Sequence, residues 1–188
     1  VELESGDALP EKLASMNAYL GAQPIADALA AGADIVVTGR VVDSAVVIGP
    51  LIHEFGWAQT DYNALAQAAL AGHVLECGAQ CPGGNFTDWH LVPDFSNMSY
   101  PVAAVSRDAS FTIEIPPQTG GLVSPASVGE QVLYEIGDPA NYLLPDVACD
   151  FTRVKLEQVG DNRVKVSGAQ GRAPGPDYKV CATWVDGY

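Results

Sequence analysis

The 188 residues carry 23 acidic against nine basic side chains, a formal net charge of −14, which excludes nucleic acid and anionic membrane surfaces as natural partners. Hydrophobic residues make up 48% and charged ones only 17%, so the expectation is that much of the surface is covered, by homo-oligomer contacts or by further segments of the same polypeptide. No apolar run approaches the roughly 20 residues of a membrane span, and four cysteines are too few for a disulfide scaffold, so a cytoplasmic protein with reduced thiols is expected.

In chain order, Pro24-Ile-Ala-Asp-Ala-Leu-Ala-Ala-Gly32 predicts a short helix, with proline at the first position and glycine just past the end. Residues 33–38 form a β-branched run without alternation, the pattern of a strand buried on both faces. Gly39 ends it, and Asp43 or Ser44 can cap a second helix that Pro50 and Gly56 interrupt. A longer helix is predicted over 61–79, apolar nearly all round and without a basic residue, which places it in the core or in an interface. Pro82, Gly83 and Gly84 then force a loop that runs to His90.

The second half changes style. Residues 101–105 and 110–115 predict two strands joined by a turn at Arg107-Asp108. Ser124 and Pro125 open a helix that reaches about Ile136 before Gly137-Asp138-Pro139 stops it. Residues 151–158 and 163–167 alternate around Gly160-Asp161-Asn162, a hairpin signal, and Tyr178–Val185 predicts a last strand. The fold class is therefore α/β to α+β: a wound helix and strand layer first, then antiparallel strands plus one helix.

Three stretches can carry chemistry. Arg40 is the only Lys or Arg between Lys12 and Arg107; just past a strand it can grip a carboxylate, phosphate or thioester-linked acid, with Asp43 orienting it and Ser44 following at a helix start. The alternative is an Arg40–Asp43 ion pair that only ties the loop. Gly83 and Gly84 permit close backbone approach to a ligand, and Asn85, Asp88 and His90 add donors, acceptors and acid/base groups; turn chemistry explains the same residues. Thr119-Gly120-Gly121 precedes a capped helix and can cradle an anion, yet no Walker lysine or dinucleotide fingerprint is present, so the sequence names no cofactor. His73, Cys77 and Cys81 share a helical stripe that zinc could use; Cys81 stands at the helix break beside Pro82 and His73 on an apolar face, so no metal is expected.

Long motifs spread over the chain carry a family likeness: Asn17-Ala-Tyr-Leu-Gly-Ala22, Ala31-Gly-Ala-Asp-Ile-Val-Val-Thr-Gly-Arg-Val-Val-Asp-Ser44, Gly49-Pro-Leu-Ile-His-Glu-Phe-Gly-Trp57, Ala71-Gly-His-Val-Leu-Glu-Cys-Gly-Ala-Gln80, Gly83-Gly-Asn-Phe-Thr-Asp-Trp89, Thr119-Gly-Gly-Leu-Val-Ser124 and Leu133-Tyr-Glu-Ile-Gly-Asp-Pro139. With these the chain resembles the acyclic terpene utilisation (AtuA) family. The resemblance implies that residues 1–188 are a single α/β domain or the central fragment of a larger one. It implies a role beside geranyl-CoA and other branched acyl-CoA pathways, with an acyl-CoA or small organic acid as substrate. The polar signature it maps here is Arg40, Asp43, Ser44, His73, Glu76, Asn85, Asp88, Thr119, Gly120 and Gly121. The leading expectation is an enzyme, a lyase or hydratase, in which Arg40 anchors the acid end, Asp43 orients Arg40, Asp88 or His73 moves a proton, and the amides of Gly83, Gly84, Gly120 and Gly121 meet the thioester oxygen. The other is a non-catalytic subunit docking on an acyl-CoA carboxylase-type assembly. The three loops are expected to cluster around Arg40, with an N-terminal segment completing the pocket.

Overall fold

One helix, α3 (Tyr62–Glu76), buries all ten residues from 65 to 74, and the rest of the fold is arranged around it in the computed structural model, which describes residues 5–185. Before it come β1 (Ser15–Ala18), α1 (Gln23–Ala30) and α2 (Ala45–Phe55). After it come β2 (Val102–Val105), β3 (Phe111–Glu114), α4 (Pro125–Leu133), β4 (Tyr142–Leu143), β5 (Ala148–Asp150), β6 (Lys155–Gly160), β7 (Arg163–Ser167), β8 (Gln170–Arg172) and β9 (Val180–Thr183). Single 3₁₀ turns at Gly78–Gln80 and Trp89–Leu91 punctuate the long connection from α3 to β2.

All the paired strands among the described residues are antiparallel. They form a four-stranded sheet in the order β2-β3-β7-β6, a three-stranded sheet β4-β5-β8 and a two-stranded ribbon β1-β9. The class is thus α+β, with the helices gathered mainly in the first half. The main sheet buries Phe111, Ile113, Val164 and Val166 on one face, the alternation expected of strands with one wet side. These side chains join α1, α2, α3 and α4 in one hydrophobic core. Gln67 crosses that core, donating to the Val166 carbonyl and accepting from the Ala169 amide, each at 3.0 Å, so the buried amide ties α3 to the sheet with its polar atoms satisfied.

Local sequence rules explain the helix ends. α1 starts with Pro24 in its first turn and is followed by Gly32 at φ +92°. α4 carries a capping box in which Ser124 and Ser127 each accept the other's backbone N–H. It stops at Leu133, three residues before the expected end, where Tyr134 turns extended at ψ 127° and Glu135 left-handed at φ +57°. α2 runs through Pro50 and ends at Gly56 in the left-handed region. Pro50 therefore kinks no boundary; it only removes one helical N–H. Ser44 holds the cap position of α2 without a side-chain cap bond. The hairpin β6–β7 turns where expected, with Asn162 at φ +48°.

The strand expected at 33–38 does not form. Those residues are bends and irregular chain, and Ile35 and Val37 are 84% and 90% exposed. A two-sided buried strand needs a neighbour on each edge, and no described segment takes either place. Just beyond this stretch a parallel bridge joins Leu20 and Val41. The long apolar helix at 61–79 is a core element: it packs against α2, α4 and β8 within the chain.

Candidate functional site

The Leu20–Val41 bridge places the end of β1 beside the loop that precedes α2. Leu20 donates to the Arg40 carbonyl at 3.3 Å and Val42 donates to Leu20 at 3.0 Å. Two residues are thereby fixed side by side: the Arg40 guanidinium stacks over the Tyr19 ring, 5.2 Å from its centroid. α3 crosses close to the start of α2, and only because residue 72 is glycine; a Cβ there would lie 2.7 Å from the Cα of Ser44. That approach brings the last turns of α3 opposite Arg40.

Between these elements lies an open cleft of about 720 Å³ lined by Asn17, Gly39, Arg40, Val41, Asp43, Val46, Val47, Gly72, Leu75 and Glu76. One side of its chemistry is apolar, from three valines and a leucine. The other is polar, with one guanidinium and two carboxylates. Arg40 and Asp43 are both exposed and form no ion pair; the ion pair among the described residues joins Arg163 to Glu114. Among the described residues no hydrogen bond from the Arg40 guanidinium is made either, whereas Arg107 donates to the Phe55 carbonyl and Arg172 to Asn141. Asp43 therefore shares the cleft with Arg40 without holding it, and Tyr19 does the holding. Burial pushes the Tyr142 phenol above its usual range, and the carboxylates of Asp43, Glu135 and Glu76 act in the same direction.

His73 follows Gly72 but sits in the core, 7% exposed. Its Nε2–H donates to the Gln131 carbonyl at 3.0 Å, and Gln131 returns a bond from Nε2 to the His73 carbonyl at 3.3 Å. Burial lowers its pKa, so it stays neutral. The pair locks the last turns of α3 to α4. The stripe His73, Cys77 and Cys81 does not converge: Cys77 donates to Glu76, Cys81 is fully buried, and among the described residues no group of three such side chains is placed to hold a metal.

The two glycine loops meet each other. Leu122 donates to the Pro82 carbonyl at 2.8 Å, and a Cβ on Gly121 would press on that same carbonyl at 3.0 Å. The amides of Gly83, Gly84 and Gly120 are committed to the carbonyls of Gln80, Ala79 and Asn97. Thr119 donates to the Pro116 carbonyl at 2.6 Å. Asn85 and Asp88 are exposed, and Thr87 donates its amide to Glu130. No residue from 83–90 or 119–121 lines the Arg40 cleft. Close backbone packing is the visible reason for these glycines.

Asn17 and Gly72 line the cleft and Tyr19 stacks on Arg40 beside it; spacing singled out none of the three. Tyr19 and Gly72 lie inside the motifs that carry the family likeness, and Glu76 belongs to its polar signature, so the signal was in the resemblance. Ser44, buried at 6%, serves as the surface on which Gly72 packs.

Among the described residues no helix is long and apolar enough to cross a membrane. No curated protein matches this chain, and no solved structure does. The family model described as acyclic terpene utilisation family protein AtuA matches residues 2–188. A match of that extent, on a chain whose motif residues build the Arg40 cleft, shows that the protein belongs to the AtuA family of acyclic terpene utilisation.

Proposed function

We propose that the chain binds a CoA-linked isoprenoid or branched acid in the Arg40 cleft and acts on it as a lyase or hydratase. The observation that carries this reading is the Arg40 guanidinium, presented by Tyr19 with its donors uncommitted among the described residues, in a cleft that also offers carboxylates and an apolar wall. A planar guanidinium with free donors suits a carboxylate or a thioester carbonyl. Asp43 and Glu76 supply groups able to take or return a proton at the substrate. Val46, Val47 and Leu75 suit a branched hydrocarbon. His73 acts through α3, keeping the turn that bears Glu76 in place. Asn85, Asp88 and the amides of the two glycine loops have no part in this reading.

A second reading has its own observation. Ile35 and Val37 stand exposed on the loop leading to Arg40, as suits a subunit that docks on an acyl-CoA carboxylase-type assembly. One experiment separates the two. The protein is incubated with a panel of branched and isoprenoid acyl-CoA thioesters, binding is followed by calorimetry and products by mass spectrometry. Binding with turnover supports the enzyme; binding without turnover supports the subunit; no binding to any thioester overturns the cleft assignment.

A further inference from the structure

Resting on the assignment of the Arg40 cleft, a narrower statement about its ligand follows from charge. Acyl-CoA has two unlike ends: a nucleotide with several phosphate charges and an acyl chain with at most one carboxylate beyond the thioester. The cleft sets one guanidinium against the carboxylates of Asp43 and Glu76. Arg40 is also the only Lys or Arg from residue 13 to residue 106. Glu135 adds a further negative charge to the same neighbourhood, since it and Glu76 act together on Tyr142 and Cys77. The start of α2 does not offset this. Three of its amides, those of Ala45, Val47 and Ile48, already donate to Val42 and Ser44, which leaves too few there to cradle several phosphates. Polyphosphate in this cleft would meet more like charge than opposite charge.

The same groups suit the other end. Arg40 matches a single carboxylate or a thioester carbonyl. Asp43 and Glu76, being acceptors when ionised, call for a donor on the ligand, and the valines with Leu75 call for hydrocarbon. We propose that the cleft receives the acyl end of its ligand as a hydroxylated branched acid, with the carboxyl or thioester carbonyl on Arg40, the hydroxyl donating to Asp43 or Glu76 and the branch against Val46, Val47 and Leu75, while the phosphorylated nucleotide end stays outside.

The test uses methyl-labelled protein and follows the NMR resonances of Val46, Val47 and Leu75. The probes are 3-hydroxy-3-methylbutyrate, its deoxy analogue 3-methylbutyrate, adenosine 3′,5′-bisphosphate and a branched acyl-CoA. The expected result is that the acyl-CoA and the hydroxy acid shift these methyls and the nucleotide does not. The hydroxy acid should bind about 10- to 150-fold more tightly than the deoxy acid, the worth of one hydrogen bond to a charged group. Glu76→Gln with Asp43→Asn should narrow that preference, and Arg40→Ala should weaken both acids together. If the nucleotide shifts the methyls and the hydroxy acid does not, or if the two acids bind equally, this inference is overturned while the cleft assignment stands. If the acyl-CoA and every probe leave the methyls unmoved, the cleft assignment itself fails.

Discussion

Replacing Gly72 by alanine probes the contact that brings α3 opposite Arg40. In a helix interior alanine is favoured over glycine by about 1 kcal/mol, so the bare expectation for this substitution is a gain. Here the new methyl would sit 2.7 Å from Ser44 Cα, 2.8 Å from its Cβ and 3.0 Å from its carbonyl oxygen. Two of these three atoms are backbone and cannot rotate away. Overpacking of this kind costs about 1–3 kcal/mol, and with backbone on the other side the upper part of that range applies. The net is a loss of about 1–2 kcal/mol, a Tm lower by about 2–8 °C for a chain of this size. Gly129 in α4 is the internal control. Its added methyl meets only the tip of Leu156 at 3.4 Å, so Gly129→Ala should gain up to about 1 kcal/mol. Thermal unfolding of the two variants beside wild type reads both signs. A Gly72→Ala protein as stable as wild type would refute the close crossing of α3 on Ser44, and with it the placement of Glu76 in the cleft.

Burial lowers the His73 pKa below its ordinary 6.5, so below that value the unfolded chain takes up a proton that the folded one resists; stability should fall as pH drops through 6.5, and the Tm of His73→Gln should depend less on pH there than that of wild type. Asp146 accepts the Ala22 amide at the start of α1, at 3.0 Å from each oxygen; Asp146→Ala should lose about 1–3 kcal/mol in chemical unfolding, while Asp146→Asn, which keeps an acceptor, should lose less. Thiol titration of the native protein should find Cys181, which is exposed, reacting first. Cys77 should react slowly, its thiol pushed up to about 11 by burial, and Cys81 and Cys149, pushed up to about 12 by burial, only after denaturation.

Short-range chemistry made much of the fold legible. The Ser124-Pro125 start of α4, the glycine after α1, the β6–β7 hairpin and the β2–β3 pair are each set by residues within a few positions of one another, and they appear within a few residues of where the pattern placed them. The strands β4, β5 and β8, of two or three residues, are too short to show a period. β1 was equally hidden, because its partner β9 lies at the other end of the chain and such pairing leaves no local mark. Ile35-Val36-Val37 failed for the opposite reason: the pattern is strand-like, but a strand needs partners that a pattern does not supply. At the site, Arg40 stood out as a lone cation in an acidic stretch, whereas Tyr19 and Gly72 act through contacts 21 and 28 residues away along the chain. The glycine loops read as ligand cradles because glycine permits close approach; what approaches is the chain's own backbone at Asp94, Pro82 and Ala79.

The central claim is that Arg40 anchors the acid end of the ligand. Isothermal titration of a branched acyl-CoA into wild type, Arg40→Ala and Lys155→Ala, the last an exposed lysine on β6, tests it most directly. Loss of a hydrogen bond to a charged group is worth about 1.5–3 kcal/mol, so Arg40→Ala should bind about 10- to 150-fold more weakly while Lys155→Ala matches wild type. Equal affinity in all three proteins would contradict the account.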